Sequence, residues 1–181
     1  MAQEIEMHYF AYGSNMSIAR LRNRVPSAKR LGRYRLESHD LRFHKCGGDG
    51  SGKCDAFYTG NREHQVIGVL YHIDPLEKPA LDRAEGLGVG YGEKQVVVVG
   101  PAGELIEANT YWAMMTDPQM KPFTWYLNHV LVGAHEVALP APYVDRIRLI
   151  ESVEDPDRER DALERAIHGY TVGLQADGLI R

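Results

Sequence analysis

The sequence predicts an α+β fold, a small mixed β-barrel or strongly curved sheet surrounded by helices. Three observations lead there. Extended apolar runs recur through the first two thirds of the chain, above all residues 66–73 and the four valines at 96–99. Such near-continuous runs suit strands buried on both faces, or a closed barrel. Helical apolar periods dominate from Pro122 onward. The 181 residues, 44% hydrophobic and 25% charged, suffice for one globular core. The expected organisation is a single domain over 1–181, with residues after about 156 as a C-terminal helical extension.

The elements follow in order. Tyr9-Phe10-Ala11-Tyr12 reads as a short buried strand, and Gly13-Ser14-Asn15 as a turn. Ser17 stands where an N-cap stands, ahead of Ile18-Ala19-Arg20-Leu21. A strand that stops at glycine and restarts as a helix exposes N–H groups without internal partners. Such a turn either holds a carboxylate or other oxyanion, or is a plain structural corner. Residues 34–45 and 54–59 alternate loosely, as strands do. Residues 66–73 give a strong strand signal, as do 95–99, which Gly100-Pro101-Ala102-Gly103 turns back into an extended segment over 104–115. Asp74 is placed to cap a helix beginning at Pro75, with Leu76, Ala80, Ala84 and Leu87 on one face and Pro79 disturbing its first turn. Glu85 closes that helix at the border of its apolar stripe, and the glycines of 86–92 make a flexible connector. Phe123, Leu127, Val130, Leu131 and Ala134 mark the best amphipathic helix. Tyr143, Ile147 and Ile150 mark a second, and Leu163, Ala166, Ile167 and Tyr170 a third, with residues 158–161 as a solvated face. The tail from Thr171 has weak periodicity.

Composition narrows the function classes. Net charge is −4 with no basic stripe, which argues against nucleic acid as a partner. The first six residues carry acids where a secretion signal needs bases, and no apolar run approaches a membrane span. A cytoplasmic protein is expected, with no membrane partner. Cys46 and Cys54 are expected as reduced thiols flanking a glycine-rich loop. Their spacing, even with His39, His44 and His64 nearby, fits no standard zinc pattern, so no metal is expected. Residues 86–92 mimic a dinucleotide loop but follow a helix, and the third glycine of the fingerprint falls on Tyr91. Ser14 lies in no nucleophile elbow. His135-Glu136 lacks the second histidine of a zincin helix. Glu85 remains. At a border facing glycines, a partly desolvated carboxylate is suited to acid–base work; equally, it is an ordinary solvated helix-end residue. These patterns alone identify no active site.

A series of segments in order resembles the γ-glutamylcyclotransferase-like family. Residues Tyr9 to Asn15 are similar to its opening signature, and Pro26-Ser27-Ala28 follows at compatible distance. The 66–71 strand resembles its Val-x-Gly-Val-hydrophobic-Tyr segment. Leu81-Asp82-x-x-Glu85-Gly86 resembles the motif that carries the catalytic glutamate. Pro122-x-x-x-Tyr126 and the run from Gly133-Ala134 through Glu136 and Leu139-Pro140 to Tyr143 resemble later segments. The resemblance implies a small β-barrel with surrounding helices. It implies a cofactor-free reaction on a small γ-glutamyl substrate that releases 5-oxoproline and the γ-linked amine or amino acid. By matching position, Glu85 becomes the general acid/base, while Tyr9, Tyr12, Gly13, Ser14 and Asn15 form the substrate-holding loop and Tyr126 supplies a pocket hydroxyl. The alternatives are a non-catalytic ligand-binding or interaction module on the same fold, and a γ-glutamyl amide hydrolase. The Cys46–Cys54 loop and the segment from Asp157 have no counterpart in the resemblance and fall where choice of leaving group would be set. A homodimer is compatible with the sequence.

Overall fold

The structure, a computed structural model, describes residues 7–169. The first six residues and the tail from Thr171 lie outside the described residues.

Seven strands form the centre: β1 (Met7–Ala11), β2 (Lys29–Glu37), β3 (His39–Cys46), β4 (Gly52–Tyr58), β5 (Gln65–Ile73), β6 (Tyr91–Val99) and β7 (Leu105–Ala113). Five of them close a barrel in the order β1-β5-β2-β6-β7, and β3 and β4 make a separate hairpin. All barrel pairs are antiparallel except β1 with β7, which meet in parallel at Tyr9 and Asn109. That one mixed junction turns the curved sheet into a closed one and removes its open edges. The apolar run of β5 now has a reason: it pairs on both sides and is buried from Val66 to Tyr71. Gly68 sits where a Cβ would lie 2.3 Å from the Ala11 carbonyl oxygen, so only glycine lets β1 approach β5 there.

Helices α1 (Ile18–Arg22), α2 (Lys78–Glu85), α3 (Thr124–Glu136), α4 (Ala141–Arg148) and α5 (Arg158–Ala166) surround the barrel. None among the described residues is long and apolar enough to cross a membrane. Ser17 caps α1 as expected, its Oγ accepting from the Arg20 amide. Helix α3 lies against the turn after β1, because Gly133 leaves no side chain where a Cβ would be 2.5 Å from Met16 and the Ser17 nitrogen. Glu136, at the end of α3, accepts from the Ile18 amide and pairs with Arg30, tying α3 to α1 and β2. Ser27 explains the Pro-Ser-Ala segment. Its amide and hydroxyl both donate to Glu77 Oε2, at 3.0 and 2.6 Å, and its Oγ accepts from the Asp74 amide. The start of α2 is thereby clipped to the segment that follows α1.

Several boundaries differ from expectation. The extended stretch over 34–45 is two strands broken at Ser38, whose φ of 62° reverses the chain. Helix α2 starts at Lys78 rather than Pro75, because Asp74 Oδ1 accepts from the Leu76 amide and holds 74–77 as a turn. Pro79 then falls in the first helical turn, where its missing N–H is harmless. Strand β6 extends back to Tyr91, and the glycine connector before it is a hydrogen-bonded turn, with Gly88 N donating to Tyr91 O and Gly90 N to Gly86 O. Residues 158–161, by contrast, open α5 and stay unburied as expected, capped by Asp157 Oδ1.

Helix α5 is held by a buried charged cluster. His129 of α3 is fully buried, its Nε2 lying 2.9 Å from Glu164 Oε2 and 3.1 Å from Arg20 Nη1, and Arg20 pairs with Glu164. Burial lowers the His129 pKa to about 4. Burial alone would raise the Glu164 carboxyl, but His129 and Arg20 hold it down at about 2. Unfolding therefore takes up a proton at His129 between pH 6.5 and about 4, so stability falls as pH falls through that window; Glu164 adds the same sign below 4.5. Urea denaturation should show the unfolding free energy dropping by up to about 3 kcal/mol on acidification from neutral pH to about 4. His129→Gln should flatten that slope, and an equally steep slope in the variant would contradict the assignment.

Candidate active site

The chemistry-bearing residues converge where β1 runs out of the barrel. After Ala11 the chain enters the turn at Gly13, and residues Ser14–Met16 make one tight helical turn before Ser17. Tyr71 of β5 fixes this turn from beneath, its hydroxyl donating to the Met16 carbonyl at 2.6 Å. The amides of Gly13, Ser14 and Asn15 meet no acceptor among the described residues, although Ser14 and Asn15 are buried. Gly13 is required by space. A Cβ there would lie 2.9 Å from Cys54 Cβ and 3.3 Å from the Tyr126 hydroxyl.

Across from the turn, α2 delivers Glu85 as its last residue, with Gly86 turning away in the left-handed region at φ 68°. The carboxylate is held on one oxygen. Asn15 Nδ2 donates to Oε1 at 2.8 Å and Arg24 Nη1 donates to the same oxygen at 2.7 Å. Arg24 also donates to Asn15 Oδ1 at 2.9 Å, closing a triangle, and Asn15 Nδ2 donates to the Tyr9 hydroxyl at 3.1 Å. Oε2 has no hydrogen-bond partner among the described residues. The carboxylate is mostly buried, with 15% of its side chain exposed.

Glu85, the turn residues, Cys54 and five tyrosines line a narrow recess of about 20 Å³. The tyrosines differ in what they can offer. Tyr12 donates to the Tyr111 carbonyl, Tyr91 to the Cys54 carbonyl, and Tyr111 to Asp82 Oδ1, so these three brace the wall. Tyr9 and Tyr126 instead accept, from Asn15 and from the Cys54 amide, and their hydroxyl protons have no oxygen acceptor among the described residues. Burial raises the pKa of Tyr9 and of Tyr126, so both are neutral donors at neutral pH. Burial pushes the Cys54 thiol up to about 12, which makes it an uncharged wall residue.

All seven residues singled out from sequence meet here: Glu85, Tyr9, Tyr12, Gly13, Ser14, Asn15 and Tyr126 all line the recess. Asn15, expected as a loop residue, also grips Glu85. Arg24, Cys54, Tyr91 and Tyr111 were not anticipated as site residues. Arg24 follows a short helix in no recognisable pattern, and Tyr111 sits in an expected strand with nothing local to mark its hydroxyl. The histidines near the two cysteines do not gather: His44 faces Asp55, His39 faces Lys94, and His64 faces Thr59. The recess opens into a wider groove of about 570 Å³ that shares Ser14, Glu85, Tyr91 and Tyr126 and is bordered by the Cys46–Cys54 loop.

In sequence and in fold the chain resembles proteins of the γ-glutamylcyclotransferase-like family. Residues 65–147 match the family model described as the AIG2-like family. The chain is 29% identical over 168 residues to a Homo sapiens protein named gamma-glutamylcyclotransferase, covering 88% of this chain and 86% of that one. A Bos taurus protein of the same name is 28% identical over 167 residues, with the same coverage. Among solved structures, one named gamma-glutamyl cyclotransferase superposes with a TM-score of 0.78 at 25% identity, covering 88% of this chain and 98% of the other. The family resemblance and the fold expected from the sequence are both borne out.

Gly13→Ala should cost about 1–3 kcal/mol of unfolding free energy, because the added methyl meets Cys54 in a packed wall. Chemical denaturation measures this, and an unchanged midpoint would show that the turn yields freely.

Proposed function

We propose that the protein converts a γ-glutamyl amine or γ-glutamyl amino acid to 5-oxoproline and the free amine, with Glu85 as the general acid/base. The observation that carries this reading is the one-sided grip on Glu85: Oε1 is fixed by Asn15 and Arg24, and Oε2 is left open at the recess. A carboxylate pinned through one oxygen keeps the other at a constant place, which proton transfer in two directions requires. The likeness to proteins named gamma-glutamylcyclotransferase supports the same chemistry.

A γ-glutamyl group carries its own nucleophile. Its α-amine can curl back onto the γ-carbonyl carbon and close a five-membered ring. A well-oriented intramolecular attack gains up to about 7–11 kcal/mol over its bimolecular counterpart. The α-ammonium, with a pKa near ~8, lies only about 1–2 kcal/mol from its free amine near neutral pH, and Glu85 is the base that takes the proton as the amine attacks. The freed amine attacks, a C–N bond forms, and the carbonyl oxygen becomes an oxyanion. Glu85 then protonates the departing nitrogen, the old C–N bond breaks, the carbonyl re-forms, and the second proton of the ring nitrogen passes to the released amine, which leaves as an ammonium. Glu85 ends as it began, and no water is consumed. The open amides of residues 13–15 and the Tyr9 and Tyr126 hydroxyls supply donors for the α-carboxylate and the oxyanion. Losing one oxyanion donor typically costs ~2.7–4 kcal/mol.

The expected products are 5-oxoproline and free amine, read by mass spectrometry after incubation with γ-glutamyl compounds in ¹⁸O-water. Cyclisation leaves the 5-oxoproline unlabelled. Labelled glutamate would replace this reading with hydrolysis, and unchanged substrate across the panel would replace it with a binding module.

A further inference from the structure

We propose that Lys45 is a specificity-determining residue that binds a carboxylate carried by the departing amine. The inference rests on the cyclisation reading and names the leaving-group class for that same site.

Lys45 lies near the end of β3, in the wall of the wide groove that adjoins Glu85. It is only 7% exposed. Its ammonium stands 4.5 Å from the centroid of the Tyr91 ring, and Gly90 makes room for it: a Cβ there would be 2.7 Å from Nζ. The nearby carboxylates are otherwise engaged. Asp49 bonds Lys53 at 2.7 Å, and Glu85 bonds Arg24 at 2.7 Å. Among the described residues Lys45 makes no ion pair and its ammonium no hydrogen bond. Burial lowers its pKa, with Glu85 and Asp49 acting in the opposite sense from across the groove.

A lysine so largely buried, its ammonium opening only to the groove and without a counter-ion, is costly to keep. Lys53, in the same groove, shows the usual remedy: besides Asp49 it donates to Ser51 Oγ, and it lies 4.8 Å from the ring centroids of both Trp125 and Tyr126. Lys45 has an aromatic face and a vacancy in charge. Five basic side chains and two carboxylates line the groove, so an anion entering it meets a positive excess. In the cyclisation reading the γ-carbonyl lies at the recess beside Glu85, and the departing amine extends along the adjoining groove. A carboxylate on that amine completes a charge-assisted bond with Lys45; an uncharged substituent leaves the ammonium buried and unpaired.

The test compares kcat/KM for two γ-glutamyl compounds of nearly equal shape, γ-glutamyl-glycine and γ-glutamyl-glycinamide, which differ in one charge. The wild type should prefer the acid by about ten- to a hundredfold, the range of a hydrogen bond to a charged group. Lys45→Met should reduce that ratio by at least about fivefold, and Lys45→Arg should retain it. Circular dichroism checks that the variants fold, and a low wild-type ratio overturns the inference even where one does not. A wild-type ratio below about twofold, or a ratio that Lys45→Met leaves intact, overturns the assignment of Lys45 alone. Conversion of neither compound to 5-oxoproline overturns the cyclisation reading, and this inference with it.

Discussion

The site depends on how one carboxylate oxygen is held. Glu85 stands at the end of a helix, where a lone side chain would sweep through several rotamers. Two donors from different parts of the chain, Asn15 and Arg24, converge on Oε1 and also bond each other. The rest of the structure makes that convergence possible. Barrel closure sets where β1 ends, Tyr71 and Gly133 seat the turn that carries Asn15, and Ser27 clips α2 to the segment bearing Arg24. Each contact is modest, but together they fix the distance between a helix end and a turn 70 residues apart.

The tyrosine wall adds a second constraint. Every hydroxyl in it has at least one partner, as buried polar groups require, yet Tyr9 keeps a proton to donate and Tyr126 has only the Cys54 thiol besides the Cys54 amide. Burial keeps those hydroxyls neutral, and the thiol of Cys54 with them. A wall of neutral donors around an anchored carboxylate can stabilise developing negative charge without competing for the proton that Glu85 carries. Beyond it, the groove changes character from neutral to cationic.

Much of this was legible in the sequence where physics acts locally. Ser17 as a cap, the Gly100–Gly103 reversal and the buried run of β5 follow from short-range rules, and Glu85 stood out through its motif. What escaped reading depends on distant pairings. Arg24 gains its meaning from a residue 61 positions away. The parallel junction of Tyr9 with Asn109 closes the barrel without leaving a pattern in either segment. Tyr12 lines the recess as expected, but its hydroxyl is spent on the Tyr111 carbonyl, a bond spanning 99 positions. The start of α2 moved because an aspartate expected as a helix cap bonded the amide two residues on. Local competition of that kind is decided by tertiary contacts, here by Ser27.

Turnover of a γ-glutamyl substrate by Glu85→Gln probes the account at its centre, since glutamine preserves the shape and can still accept from Asn15 and Arg24 but cannot shuttle a proton. The predicted result is a protein folded as the wild type with kcat lowered by at least ~10²-fold. A folded Glu85→Gln protein that releases 5-oxoproline within about threefold of the wild-type rate would contradict it.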